Sequence, residues 1–362
     1  MATDRERTRC RERLHELAAS TLDTDSLRHE AVALLRRAIG FDRWCWPLAD
    51  PETLIPLSGL AVHDYGPWVP RALELEFSGS DFAAMREVAR GASPSAALSG
   101  ATGGDLARSP RWDEVFRHVG IGDEAVVACR DGGGCWGWLK AYRDRSERAF
   151  SEDDVRVLAD VASTLGGALR RGLGRDGRAG ASLPRPAGVF VLDEHLRLLA
   201  ATAAGREWIA SLPAAAAYAA FGMLPAMVYP AATLVRKRRD LRGVGVLERT
   251  VEGRWVMIDA AVLDSDGAYG TIAVTFRDAT GAETFHRLAR VYALTQRERQ
   301  VVAGVVAGDD TTAIARRLMI SRHTVQDHLK AVFAKVGVHS RRELSARFSV
   351  PALAAPCGFA DA

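Results

Sequence analysis

Between Leu294 and Gly337 the sequence carries three helix starts in quick succession, each followed by an apolar stripe, and this confines the stretch to a small bundle of short helices. Thr295 with Glu298 three residues on is a capping box, so a helix starts at Gln296 and runs toward Ala307, burying Val301, Val302 and Val305. Gly308 ends it. Asp310 or Thr311 caps a shorter second helix bearing Ile314, Ala315 and Leu318, where the small Ala315 suits a close helix crossing. Ser321 caps the third, and Val325, Leu329, Val332 and Val336 follow on it as one apolar stripe at helical spacing. The face left over holds Arg322, His323, Gln326, Asp327 and Lys330, side chains able to meet base edges and phosphates in a major groove.

Charge agrees with a polyanionic partner for this stretch. The chain of 362 residues is only +3, but residues 291–350 carry ten Lys and Arg against five Asp and Glu, leaving −2 on the remainder. With 48% hydrophobic and 26% charged residues the chain as a whole has ordinary globular composition, and the length predicts two or three domains in all. No apolar run reaches the roughly 18 residues of a membrane span, and the charged start from Met1 to Arg7 is unlike a secretory signal, so the expected location is the cytoplasm. Five scattered cysteines without a C-x-x-C pair indicate neither a disulfide framework nor a zinc site.

Upstream, Asp4 to about Ile39 reads as helix from Leu14, Leu17, Ala18, Leu27, Ala31 and Leu35, stopped by Gly40. Strand-like pieces follow at 43–48 and 53–57, the second opening into a turn at Ser58-Gly59. Residues 124–130 and 136–142 flank Asp131-Gly132-Gly133-Gly134, a hairpin signal, and Ser151 caps a helix with an acidic first turn. The Gly- and Arg-rich stretch from Arg175 to Pro186 is a linker. Beyond it come a hairpin at 188–200, a helix near 203–211, and strands at 246–251, 255–263 and 270–277. Each half therefore predicts an antiparallel sheet with helices on its faces.

The run Leu294-Thr295-Gln296-Arg297-Glu298, with Gly308, Ile314-Ala315, Ile320-Ser321, Thr324-Val325, His328-Leu329, Lys335 and Val338, resembles the LuxR-type helix-turn-helix. That resemblance implies double-stranded DNA as partner and a homodimer. It puts base reading on Gln326, Asp327 and Lys330, with further DNA contacts at Thr312, Ser321, Arg322, His323, Thr324, Lys335 and Arg341. Where the family often has Lys and then Glu at the start of the second helix, this chain has Thr312 and Ala313, which removes a counterion-releasing cation. Residues 21–173 resemble the GAF fold, through Arg111-Trp112, Gly120-Ile121-Gly122-Asp123-Glu124, Trp136-Gly137 and Phe150-Ser151-Glu152-Asp153, and 187–283 resemble a smaller PAS-like fold.

The expected fold class is multidomain α+β plus all-α: an N-terminal helix (1–20), a GAF-like sensor (21–173), a linker (174–186), a PAS-like domain (187–283), a four-helix LuxR-type unit (284–350) and a tail (351–362). The expected function is a sequence-specific transcription regulator reading inverted repeats. An unknown small-molecule effector and RNA polymerase are its further expected partners.

Trp44 with Trp46, and Trp136 with Trp138, alternate along two strands, so each pair is expected on one face, either as core or as an aromatic ligand pocket. Cys45, Cys129 and Cys135 near the same strands raise a thiol-enzyme alternative, reduction of methionine sulfoxide, and the helix-turn-helix raises a sigma-factor-like one. No G-x-S-x-G, phosphate loop or H-E-x-x-H is present, and no catalytic residue, metal site or cofactor is expected.

Overall fold

The N-terminal helical pattern divides at Asp23, whose carboxylate accepts from the N–H groups of Asp25 and Ser26 at 3.0 and 2.8 Å and so caps a new helix. In the computed structural model, which describes residues 4–62, 66–175, 184–238, 243–263 and 271–348, the expected single helix is therefore two, α1 (Asp4–Ala18) and α2 (Thr24–Ile39). Residues 176–183 of the expected linker and the tail at 351–362 lie outside the described residues.

The first sheet comprises β1 (Arg43–Ala49), β2 (Pro56–Val62), β3 (Ser95–Ala97), β4 (Ile121–Asp131) and β5 (Gly134–Asp144), antiparallel, in the order β2-β1-β5-β4-β3. Short helices α3 (Val69–Phe77), α4 (Met85–Arg90), α5 (Leu98–Ala101) and α6 (Pro110–Glu114) fill the span between β2 and β4, and α7 (Glu152–Arg175) closes the half. The turn expected at Ser58-Gly59 is instead mid-strand. Gly59 stands opposite Pro47, and a Cβ there would lie 2.5 Å from the proline Cα, so glycine is what lets these two strands pair.

Helices α1, α2 and α7 cover one sheet face, burying Trp44, Trp46, Trp136, Val127 and Leu139. The opposite face buries Val126, Ala128, Trp138 and Tyr142, and its core continues without a break into the second half.

That half has β6 (Gly188–Leu192), β7 (Leu198–Ala201), β8 (Val244–Arg249), β9 (Trp255–Val262) and β10 (Ile272–Asp278), in the order β7-β6-β10-β9-β8. Counted within each half, both sheets run second, first, fifth, fourth, third. Helices α8 (Ala203–Ala210), α9 (Ala215–Ala220) and α10 (Val228–Lys237) lie between β7 and β8. From Val228 to Val235 every residue of α10 is buried, because the helix packs on β8 and β9 on one side and on α3 of the first half on the other. Arg236, at its end, pairs with Glu74 at 2.6 Å.

A capping box of Thr280 and Glu283 then opens α11 (Gly281–Val291), the passage to the C-terminal helices. Tyr292, just past it, donates its hydroxyl to the carbonyl of Gly174 at 2.9 Å. Among the described residues no helix is long and apolar enough to cross a membrane.

Candidate nucleic-acid interface

The C-terminal unit has four helices, α12 (Gln296–Val306), α13 (Thr311–Leu318), α14 (Arg322–Val336) and α15 (Arg341–Phe348). Each of the first three begins at an oxygen-bearing cap. Thr295 and Glu298 form the reciprocal box, Asp310 accepts from Ala313 N–H at 2.7 Å, and Ser321 accepts from Thr324 N–H at 3.0 Å. Val301, Val302, Ile314, Val325, Val332 and Leu344 meet in one buried core.

Two residues at the helix contacts were not singled out by pattern. A Cβ on Gly304 would lie 2.7 Å from Ile314 Cγ1, so the close approach of α12 and α13 rests on this glycine more than on Ala315. Met319 turns the chain between α13 and α14 in the left-handed region, at φ 53°, with its side chain almost wholly in solvent.

Val325, Leu329 and Val332 face inward, and on the other side of α14 Arg322, His323, Gln326, Asp327 and Lys330 are all exposed. Thr312 is exposed at the start of α13. These six side chains form one accessible set on the second and third helices. Within it, His323 Nε2 lies 3.6 Å from Asp327 Oδ2, one helical turn on, so the Asp327 carboxylate has a cationic partner whenever the imidazole is protonated.

The remaining expected contacts are engaged inside the unit. Ser321 and Thr324 bond to each other through their hydroxyls at 2.8 Å as part of the cap. Lys335 Nζ sits 2.6 and 2.8 Å from the two carboxylate oxygens of Glu298, pinning α14 to α12. Partial burial works against ionised Glu298, but Lys335 and the Thr295 N–H outweigh it and hold the carboxyl below its usual range. Arg341 donates to Thr311 Oγ1 at 3.1 Å and to Asp309 carbonyl at 2.6 Å, fastening α15 to the start of α13.

The four tryptophans expected to alternate along two strands, Trp44, Trp46, Trp136 and Trp138, do not form one surface. The β4–β5 pairing shifts by one residue between Cys129 and Arg130, which reverses side-chain parity at the hairpin end. Trp136 therefore joins Trp44 and Trp46 beneath the helices, donating to Asp131 at 2.9 Å, while Trp138 faces the other core and donates to the Met85 carbonyl at 2.9 Å. The apolar cavity beside this sheet has none of the four in its wall.

Burial pushes the thiols up, Cys45 to about 11 and Cys135 to about 12, with Cys129 also well above the usual range. An activated nucleophile needs the opposite shift.

Residues 292–348 match the family model of bacterial regulatory proteins of the luxR family. This segment is a luxR-family helix-turn-helix domain. Its sequence is 46% identical over 59 residues to the monoamine regulon transcriptional regulator of Klebsiella aerogenes, a match covering 16% of this chain and 26% of that protein. It is 43% identical over 65 residues to an HTH-type transcriptional regulator from the exeN 3'region of Aeromonas salmonicida, covering 18% and 33%. The match thus spans no more than about a third of either curated relative. Among solved structures, Escherichia coli SdiA aligns over 93% of this chain and 94% of its own, at 11% identity and a TM-score of 0.33.

Proposed function

We propose that the chain is a cytoplasmic, sequence-specific transcription regulator that binds double-stranded DNA as a homodimer through the exposed face of α14. The observation that carries this reading is the luxR-family domain with Arg322, His323, Gln326, Asp327 and Lys330 together in solvent on its third helix. Gln offers the bidentate pattern that suits adenine, Asp accepts from cytosine N4, and Lys reaches guanine or a phosphate. One such helix covers too few base pairs for a specific site, which favours two copies on an inverted repeat.

The two upstream halves act in this reading as GAF-like and PAS-like sensory domains for a small-molecule effector, and the bound dimer engages RNA polymerase. The support is their shared strand order and the direct passage of α11 from the second sheet into the DNA-binding helices.

Selection of duplexes from a random pool by the full-length protein tests the proposal. The expected product is an imperfect inverted repeat with half-site centres about 10 base pairs apart, bound by two chains. Enrichment of a single half-site bound by one chain, or no enrichment, would overturn it.

A further inference from the structure

On the sheet face that carries Tyr142 lies a cavity of about 400 Å³ shared by both halves. Leu57, Val69, Ala72, Met85 and Phe116 wall it from the first half, and Ala217, Tyr218 and Phe221 wall it from α9 and the residue after it. Phe221 is half exposed, and its ring rests so close to Gly66 that a Cβ there would lie 2.5 Å from it. The volume falls within the usual range for small-molecule sites, and the wall is mostly apolar.

One end of the cavity is different. Glu76, Arg111 and Lys140 line it beside Cys45, whose Sγ is 3.4 Å from the Tyr142 hydroxyl. Behind them stand Asp81 and Glu124, and no side chain of these five is more than 5% exposed. Arg111 sends Nη1 to Glu76 at 2.7 Å, Nε to Asp81 at 3.0 Å, and Nη2 to Glu124 at 2.9 Å and to the Phe82 carbonyl at 3.1 Å. Lys140 Nζ reaches Glu76 at 2.6 Å and Glu124 at 2.8 Å. Such a network costs several kcal/mol per buried ion in desolvation, and an apolar core would stabilise the fold at least as well.

Its hydrogen-bond count points to a ligand. A guanidinium has five N–H donors and an ammonium three. Of the contacts above only Arg111 Nη2 to the Phe82 carbonyl and Lys140 Nζ to Glu76 have hydrogen-bond geometry, so Nε and Nη1 of Arg111 are buried donors without a hydrogen-bond partner at the cavity's polar end, as are both acceptor oxygens of Glu124 behind them. Three carboxylates already face two cations. A ligand carboxylate would add a further anion, and a ligand ammonium would have to displace Arg111 or Lys140 from Glu76.

We infer that this cavity binds an uncharged small molecule with a mostly apolar body and a carbonyl-type acceptor, seated with the acceptor toward Lys140 and Arg111 and enclosed by Tyr218 and Phe221 of the second half. Occupancy bridges the two halves. Its regulatory meaning rests on the sensor reading, whereas the binding itself does not.

The test titrates full-length protein with prodan, a neutral naphthyl ketone whose emission moves to the blue in apolar surroundings. Expected are saturation at one prodan per chain, a loss of about tenfold in affinity for dimethylaminonaphthalene, which lacks the carbonyl, and no competition by naphthoate. Ala217→Trp, at an exposed position on the cavity mouth, should abolish saturable binding, and Phe221→Ala should weaken it. Absence of saturable binding, equal affinity for the compound without the carbonyl, or binding unchanged in Ala217→Trp would each overturn the inference. Failure of prodan binding with selected DNA still bound would sink this inference alone. Prodan binding without any selected DNA would sink the regulator reading alone.

Discussion

Arg287, on the helix that leads into the DNA-binding unit, places Nη1 3.0 Å from Oδ2 of Asp50 at the end of β1, with both side chains buried. By chain order α11 belongs to the second half, yet its charged face is held by the first. Arg290 and His286 add contacts to Glu52 at 3.1 and 2.6 Å. The other oxygen of Asp50 accepts from the N–H groups of Glu52 and Thr53, both at 3.0 Å, so the carboxylate is rigidly aimed.

Breaking this pair leaves an uncompensated buried charge. Arg287→Met should lower the unfolding free energy of the whole chain by about 3 kcal/mol, the lower end for a buried pair because Asp50 keeps its backbone partners. Adding Asp50→Asn should recover part of the loss. Urea unfolding of the wild type, Arg287→Met, Asp50→Asn and the double variant measures both, and a double variant as unstable as the sum of the singles would contradict the pairing.

Lys335 separates a structural role from DNA contact. Because its ammonium is held by Glu298, Lys335→Met should cost about 1 kcal/mol in stability of the C-terminal unit and leave the salt dependence of DNA binding unchanged. A fall of about 1 in the salt slope would show that the side chain leaves Glu298 for a phosphate.

On the accessible face the expected signature is different. Gln326→Ala and Asp327→Ala should each cost about 1–3 kcal/mol on the selected site and relax preference at one base position. Lys330→Ala either weakens all sequences alike, marking a phosphate contact, or loses one base preference, marking guanine. Affinities on single-base variants and on random DNA at several salt concentrations distinguish the outcomes.

Acid should loosen the entry to α11. Two bonds from Arg277, 2.8 and 3.0 Å, together with the Thr280 N–H, hold the Glu283 carboxyl down at about 2, against an ordinary value of about 4.3. Its folded value is the depressed one. The stabilisation is therefore present above the ordinary value and is lost as pH falls through about 2. Glu283→Gln should be less stable than wild type at neutral pH, with the gap closing over that window in thermal melts. A gap that stays constant down to the acid end would mean the carboxylate is not what stabilises.

The C-terminal helices were legible because their signals are local: Thr295 and Glu298, Asp310, and Ser321 each act within three residues of themselves. The Lys335 bond to Glu298 spans 37 residues, and no spacing rule links them. For the tryptophans the failure has a single cause. Alternation assigns faces only while the register is unbroken, and one shifted residue at Cys129 sends Trp136 and Trp138 to opposite sides. Both upstream sheets could be anticipated as antiparallel, with most strands found within a few residues of their expected positions. The seam between the halves could not, because α10 has no polar face to show which of its two neighbours it serves. The charged cluster at the cavity draws on residues 76, 81, 111, 124 and 140, which only the folded first half brings together.

A helix of 11 residues is about 16 Å long, and α11 is tied to the first half from its middle to its far end: Arg287 meets Asp50, Arg290 meets Glu52, the Val291 carbonyl accepts from Arg170 at 3.1 Å, and Tyr292 just beyond bonds to Gly174. It is a clamped spar rather than a hinge. The C-terminal helices are therefore hung from the first half, although the chain enters them from the second.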